Sequence, residues 1–214
     1  MEPAKKKAIC YIDGFNLYFG LKSANLKRYY WLNLEKLCSK IVEPQPDEEL
    51  VHIKYFTAKV KQPLDKAQRQ DLFLQALQTL STLEIIYGRY SSYKKDCPHK
   101  IRCHSCSYFL YDTEEKKTDV EISVNMVCDA FKNAYDVAYM ISGDSDLSPA
   151  AREIKALFPE KKIIVCFPPN RKSKELVRLC DGKRKIIDYL SGCEFPDIMQ
   201  NRIGVTINKP SSWV

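Results

Sequence analysis

Four aspartates stand where side chains could work on a phosphate. Asp13 ends the apolar run A-I-C-Y-I, and Asn16 follows it closely. Asp144 and Asp146 follow a second apolar run, D-V-A-Y-M-I-S, which closes on Ser142. Asp119 opens an amphipathic stretch that leads into that second run. Carboxylates crowded together repel one another, and the repulsion is relieved either by proton uptake or by a divalent cation. Oxygen donors of this kind suit Mg²⁺ or Mn²⁺. Such an ion activates a water and neutralises charge growing on a phosphoryl oxygen. His52, His99 and His104 lie away from the acids in sequence, and no Ser/His/Asp arrangement is visible. Metal-activated water is therefore the simpler chemistry. Each acid also has a plain structural reading: Asp119 offsets a helix dipole, Asp146 caps the next helix, and Asp13-Gly14 makes a turn.

The elements that must position these residues read as follows. Residues 8–13 are a buried strand ending on its acid. Phe15, Tyr18/Phe19 and Leu26 fall at roughly helical spacing after it, and Asn33 caps a second helix over 33–41. Residues 50–58 alternate as a strand, 63–80 have helical spacing behind Pro63, and 83–90 form a third strand. Thr118-x-x-Glu121 has the form of a capping box, which makes Thr118 the expected N-cap of a helix with Val120, Val124, Val127 and Phe131 on its apolar face. Strands over 136–142 and 161–167, helices over 148–157 and 173–179, and an edge strand over 184–190 complete the series. Alternation of this kind predicts an α/β fold: a mostly parallel central sheet with helices on both faces. In such sheets functional groups gather at the carboxyl ends of strands, near the switch in strand order. That brings Asp13 together with Asp144 and Asp146 if their strands are neighbours.

Residues 91–117 break the pattern and read as a small Cys/His-rich insert. The segment C-P-H-K-I-R-C-H-S-C over 97–106 has the density of a zinc knuckle, with Cys97, His99, Cys103 and Cys106 as ligands and His104 as the substitute for His99. Zinc would order a segment that lacks an apolar pattern; exposed thiols in a loop are the plain alternative. Lysines, Arg102 and tyrosines around it could hold phosphates and stack bases, or simply be solvated and packed.

The 214 residues, 45% hydrophobic and 29% charged, describe an ordinary globule with a sizeable core. No run approaches the ~18 apolar residues of a membrane span, and no signal-peptide core is present, so the expected location is the cytoplasm. Of nine cysteines, Cys10, Cys38, Cys128, Cys166 and Cys180 sit in apolar-periodic segments and read as core; Cys193 is unassigned. A net charge of +7 permits a polyanionic partner without requiring one. Basic clusters include Arg171–Lys174 and Lys183–Lys185.

Taken together, Y-I-D-G-F-N-L-Y at 11–18, K-x-T-D-V at 116–120 and S-G-D-S-D at 142–146 resemble the NYN domain of the LabA-like type, which belongs with the PIN-like metal-dependent nucleases. The resemblance covers roughly 8–190. It implies a Rossmann-like/PIN-like domain over 1–190 with the insert at 91–117, and a C-terminal tail over 191–214. It implies a ribonuclease, with Asp13, Asp119 and Asp144 as metal-binding acids, Asp146 as a supporting acid, Asn16 as their polar partner and Ser142 orienting the loop. One position departs: some relatives carry a further acid where this chain has Asn125, a neutral ligand at best, which favours a single ion. RNA is the expected partner, a homo-oligomer is compatible with the sequence, and the alternative is an inactive RNA-binding module that keeps the acids. A phosphatase of the aspartyl-phosphate type is disfavoured because Asp13-Gly-Phe-Asn lacks a second Asp two residues on.

Overall fold

Period-two alternation puts Ala8, Cys10 and Ile12 on one face of β1 (Lys6–Asp13) and Ile9 and Tyr11 on the other, and all five are buried. A strand apolar on both faces must be covered on both. The computed structural model describes residues 4–95 and 110–213, the side chains of 89–95 and 110–116 excepted. It meets that demand with a six-stranded parallel sheet in which β2 (Glu48–Thr57) and β3 (Leu83–Tyr87) lie on one side of β1. On the other side lie β6 (Val137–Ile141), β7 (Lys162–Phe167) and β8 (Gly182–Lys185). The order β3-β2-β1-β6-β7-β8 reverses at β1. Helices α1 (Gly14–Ser23), α2 (Leu34–Val42) and α3 (Leu64–Leu77) cover one face through Leu17, Leu21, Leu37, Ile41, Leu74 and Leu77. Helices α4 (Thr118–Phe131), α5 (Ser148–Leu157) and α6 (Lys174–Leu179) cover the other through Ile122, Met126, Ala151, Ile154 and Leu176. The fold class is the one the alternation of elements predicts.

Several local expectations are corrected. The strand expected over 83–90 divides at Gly88. Beyond it, β4 (Arg89–Lys95) pairs antiparallel with β5 (Leu110–Lys116), as a separate two-stranded ribbon outside the main sheet. The edge strand expected over 184–190 is shorter and earlier: Ile186–Tyr189 turns into a 3₁₀ helix instead. The reason is spacing, since Ile186 and Leu190 are buried while Ile187 is half exposed, an i, i+4 pattern that suits a turn. Thr118 is not an N-cap. It is the first helical residue, preceded by Lys117 at φ 80°, and its Oγ1 is buried without a partner among the described residues.

The apolar stripe expected to bury α4 points outward, with Val120, Val124 and Phe131 exposed. Cys128 shares that exposed side and Cys180 is half-buried, whereas Cys10, Cys38, Cys166 and Cys193 are buried. The cause is polar. Asp129 faces the sheet, where its Oδ2 accepts from the Tyr11 hydroxyl at 2.7 Å and from Lys54 Nζ at 2.7 Å. These bonds fix the rotation of α4, and with it the direction of its first turn. Burial, with Asp129 adding to it, holds the Tyr11 phenol well above its usual range, so it stays a donor.

The segment over 191–213 packs on the α1–α3 face. Phe195 N donates to Trp31 O at 2.9 Å, and Trp31 Nε1 donates to Pro196 O at 2.9 Å. A short hairpin, β9 (Ile198–Gln200) with β10 (Thr206–Asn208), follows. Trp213 then sets its ring 5.7 Å from Tyr30 and 6.1 Å from Trp31.

Because Lys54 and Asp129 are both largely buried, removing one leaves an uncompensated charge, which typically costs about 3–5 kcal/mol. Asp129→Ala is expected to lower stability by about that much in urea unfolding, whereas Val124→Ala on the exposed side of the same helix should change it by less than about 1 kcal/mol.

Candidate active site

Asp13 is the last residue of β1 and the N-cap of α1, so its carboxylate sits where strand gives way to helix. It is 5% exposed. Its Oδ1 accepts from Asn16 N at 2.9 Å and its Oδ2 from Ser142 Oγ at 3.0 Å. The same Ser142 Oγ accepts from Asp144 N at 3.1 Å. Asn16 closes the circuit, its Oδ1 accepting from Gly143 N at 3.0 Å. Asp144 then caps the 3₁₀ turn Ser145–Leu147 by accepting from Asp146 N at 3.0 Å. The end of strand β6 is thus tied to the end of strand β1 by two bonds, Ser142 Oγ to Asp13 and Gly143 N to Asn16, each backed by a local bond, Asn16 N to Asp13 and Asp144 N to Ser142. Asp13 and Asp144 each also cap a helix. The plain reading of Asp146 as a helix cap does not hold, because Leu147 precedes α5 as its cap.

Electrostatics links the remaining acids to this pair. Burial pushes the Asp13 carboxyl up to about 6, the bonds from Asn16 and Ser142 pull it down, and Asp119 and Asp144 add to the rise. Burial likewise raises Asp119, with Asp144 and Asp146 contributing. The structure therefore brings Asp13, Asp119, Asp144 and Asp146 into one neighbourhood of mutual repulsion; the strand-end argument covers Asp13, Asp144 and Asp146, and Asp119 joins them from the first turn of α4. The donor set matches a hard divalent ion in type. As placed, no three His, Cys, Asp or Glu side chains among the described residues converge on one ion. Asn125 does not join them: its Oδ1 accepts from Lys54 Nζ at 3.0 Å and its Nδ2 donates to Glu121 O at 2.9 Å. Cys97, His99, Cys103, His104 and Cys106 lie outside the described residues.

Three features were not legible in the sequence. A Cβ on Gly143 would meet Arg171 Cβ at 2.8 Å and Lys172 N at 3.2 Å, so the basic loop after β7 packs directly on the acidic loop. The cluster Arg171–Lys174 was visible, but not its position. A Cβ on Gly14 would meet the Tyr55 ring end at 2.6 Å, so only glycine fits beside Asp13. Gly14 also lines a cavity of about 250 Å³ walled by Phe15, Tyr18, Tyr30, Phe73 and Trp213, which come from four separate segments. Lys22, Lys66 and Arg69 stand around it, and no acid does among the described residues.

The raised Asp13 carboxyl has a pH consequence. Its folded value, about 6, exceeds the unfolded 3.8, so the native state binds the proton more tightly. Its contribution to stability is complete below about pH 4 and is lost as pH rises through about 6. In EDTA, the stability of the wild type relative to Asp13→Asn should fall by about 3 kcal/mol between those limits, as read from urea midpoints. A difference independent of pH would show that Asp13 titrates normally.

The described residues hold no helix long and apolar enough to cross a membrane. A crystal structure of a protein of unknown function from Vibrio parahaemolyticus has the same fold, with a TM-score of 0.52 at 19% identity over 87% of this chain and 96% of that one. The 6-hydroxy-3-succinoylpyridine 3-monooxygenase HspA of Pseudomonas putida is 28% identical over 99% of this chain and 76% of its own length. The NYN domain family matches residues 7–188, which include Asp13, Asp119, Asp144 and Asp146. With that match across most of its length, the chain belongs to the NYN domain family, within the PIN-like nuclease superfamily.

Proposed function

We propose that the protein is a Mg²⁺- or Mn²⁺-dependent ribonuclease acting on single-stranded RNA. The observation that carries this reading is the juncture of Asp13 and Asp144 through Ser142, with Asp119 and Asp146 in electrostatic contact and a basic loop packed on Gly143. Asp13, Asp119 and Asp144 would hold the ion, with the partly exposed Asp119 and Asp144 turning toward the buried Asp13. The ion would supply an activated water and neutralise charge on the phosphoryl oxygen. Asp146 supports the loop, Ser142 sets the spacing of the two strand ends, and Asn16 holds Gly143. Arg171 and Lys172, in the loop packed on Gly143, would supply positive charge beside the acids. Asn125, committed to Lys54 and Glu121, adds no ligand, in keeping with a single ion.

A second reading takes its lead from the Pseudomonas relative, whose name is that of a monooxygenase of a hydroxypyridine acid. The aromatic cavity beside Gly14 could receive such a ring. Ring hydroxylation would consume dioxygen and a two-electron reductant, so reductant-dependent oxygen uptake with a hydroxypyridine carboxylate would favour it. The zinc reading of Cys97, His99, Cys103 and Cys106 rests on their spacing alone.

Labelled single-stranded RNA incubated with Mg²⁺ or Mn²⁺ should be cut, and EDTA should stop the cutting. Asp144→Asn should lower the rate by at least about 10²-fold, the scale of losing a preorganised electrostatic group, with an unchanged circular dichroism spectrum. Full activity of folded Asp144→Asn would refute the assignment. Elemental analysis should find one zinc per chain in protein purified without chelator, and Cys103→Ser should lose it; protein free of zinc refutes that ligand set.

A further inference from the structure

The cavity beside Gly14 has no part in the chemistry just described, yet it opens next to it. Asp13 faces the acidic loop, and Gly14, the next residue, lines the cavity. Helix α1 divides its side chains between the two. Asn16 bonds Gly143, whereas Phe15, Tyr18, Phe19 and Lys22 turn to the cavity. The volume of about 250 Å³ exceeds the ~150 Å³ that suffices for a benzene ring. Its walls are flat aromatic faces: Tyr18 lies 5.0 Å from Tyr30, and Trp213 lies 5.7 Å from Tyr30 and 6.2 Å from Phe73. At the rim, Phe15 and Phe19 stack at 6.2 Å and 29°, and Lys22 Nζ sits 5.9 Å from the Phe19 ring. Phe19 is 42% exposed, so this stack offers a ring face to solvent.

We infer that this cavity is a nucleobase subsite, which takes one unpaired base of the RNA strand whose phosphate lies at the Asp13–Asp144 juncture. The inference rests on the ribonuclease reading and extends it to how the strand is held. Unstacked bases are recognised on aromatic platforms flanked by cations. The charge around the cavity matches a polyanion: Lys22, Lys66 and Arg69 line it with no acid among the described residues. Arg69 is paired with Asp65 at 2.9 Å, and Lys22 and Lys66 are the other cations of the lining. A free ring acid would use the cavity but not the stacked, cation-topped rim outside it. A base attached to a backbone uses both and reaches the carboxylates through its own phosphate.

The test is binding in EDTA, which separates recognition from cleavage. Fluorescein-labelled octauridylate, and copies carrying one abasic nucleotide at each internal position, are titrated with the full chain by anisotropy. One position should stand out, its abasic copy binding about 5- to 100-fold more weakly, the scale of a base–aromatic stack. Phe19→Ala should weaken the intact strand by a similar factor but leave the abasic copy at that position unaffected. Trp213 should report the event as tryptophan quenching by the intact strand and not by that abasic copy. If the losses from Phe19→Ala and from the abasic nucleotide simply multiply at every position, the subsite is refuted while the ribonuclease reading stands. If octauridylate does not bind at all in EDTA, the subsite is refuted, while the ribonuclease reading is decided separately by cleavage with Mg²⁺ or Mn²⁺. If nicotinate quenches Trp213 and octauridylate cannot displace it, the cavity belongs to a small ring acid and the inference is overturned.

Discussion

The bond from Ser142 to the buried Asp13 carboxylate is the constraint on which the site depends. It spans 129 residues of sequence and ties the ends of the two adjacent strands at which the sheet changes direction. The same carboxylate accepts the Asn16 amide and so starts α1. One buried acid therefore fixes a strand end, a helix start and the loop that carries Asp144 and Asp146. Burial makes the ionised form costly, and two bonds only partly offset that cost. A group held in this state gains from any nearby positive charge, which is what a metal ion, or the basic loop against Gly143, can provide.

The sheet separates two tasks. On the α4–α6 face, the Tyr11–Asp129–Lys54 bonds set the rotation of α4, and through it the place of Asp119. On the α1–α3 face, aromatic residues from α1, the Lys27–Trp31 turn, α3 and the segment ending in Trp213 assemble a cavity. The acids stand at the switch between the two faces, where parallel α/β sheets generally place ligands. Helix α1 belongs to both, because consecutive residues Asp13, Gly14 and Phe15 are divided between acid and cavity.

How much of this could be read from the chain depended on what kind of force placed each residue. The sheet and the strand-end acids Asp13 and Asp144 followed from apolar runs terminating in carboxylates, because burial of both faces of a parallel strand writes itself into sequence. Asp119 did not follow in this way, since an acid in a first helical turn needs no further explanation; the NYN resemblance singled it out. The face of α4 was misjudged because counting apolar residues favours Val120, Val124 and Phe131. The helix is turned instead by a single buried acid, Asp129, whose partners Tyr11 and Lys54 lie 118 and 75 residues away. Thr118 was misread because Lys117 takes a left-handed conformation that no capping pattern signals. The cavity and the packing of 191–213 were hidden for a related reason: their contacts are between single aromatic residues far apart in sequence, with no period to detect.

The place of β1 in the sheet bears on how the protein is made. Strand β1 is an inner strand, made before both of its neighbours, β2 and β6. Until Val137–Ile141 has been made, one edge of β1 has no partner and Asp13 has no Ser142. Pairings this distant in sequence close slowly, and open strand edges invite association with other chains in the meantime. A growing chain that has not reached the S-G-D-S-D loop lacks Asp144 and Asp146 and has no Ser142 to hold Asp13, so the acidic site cannot assemble until the loop has been made and β6 has paired with β1.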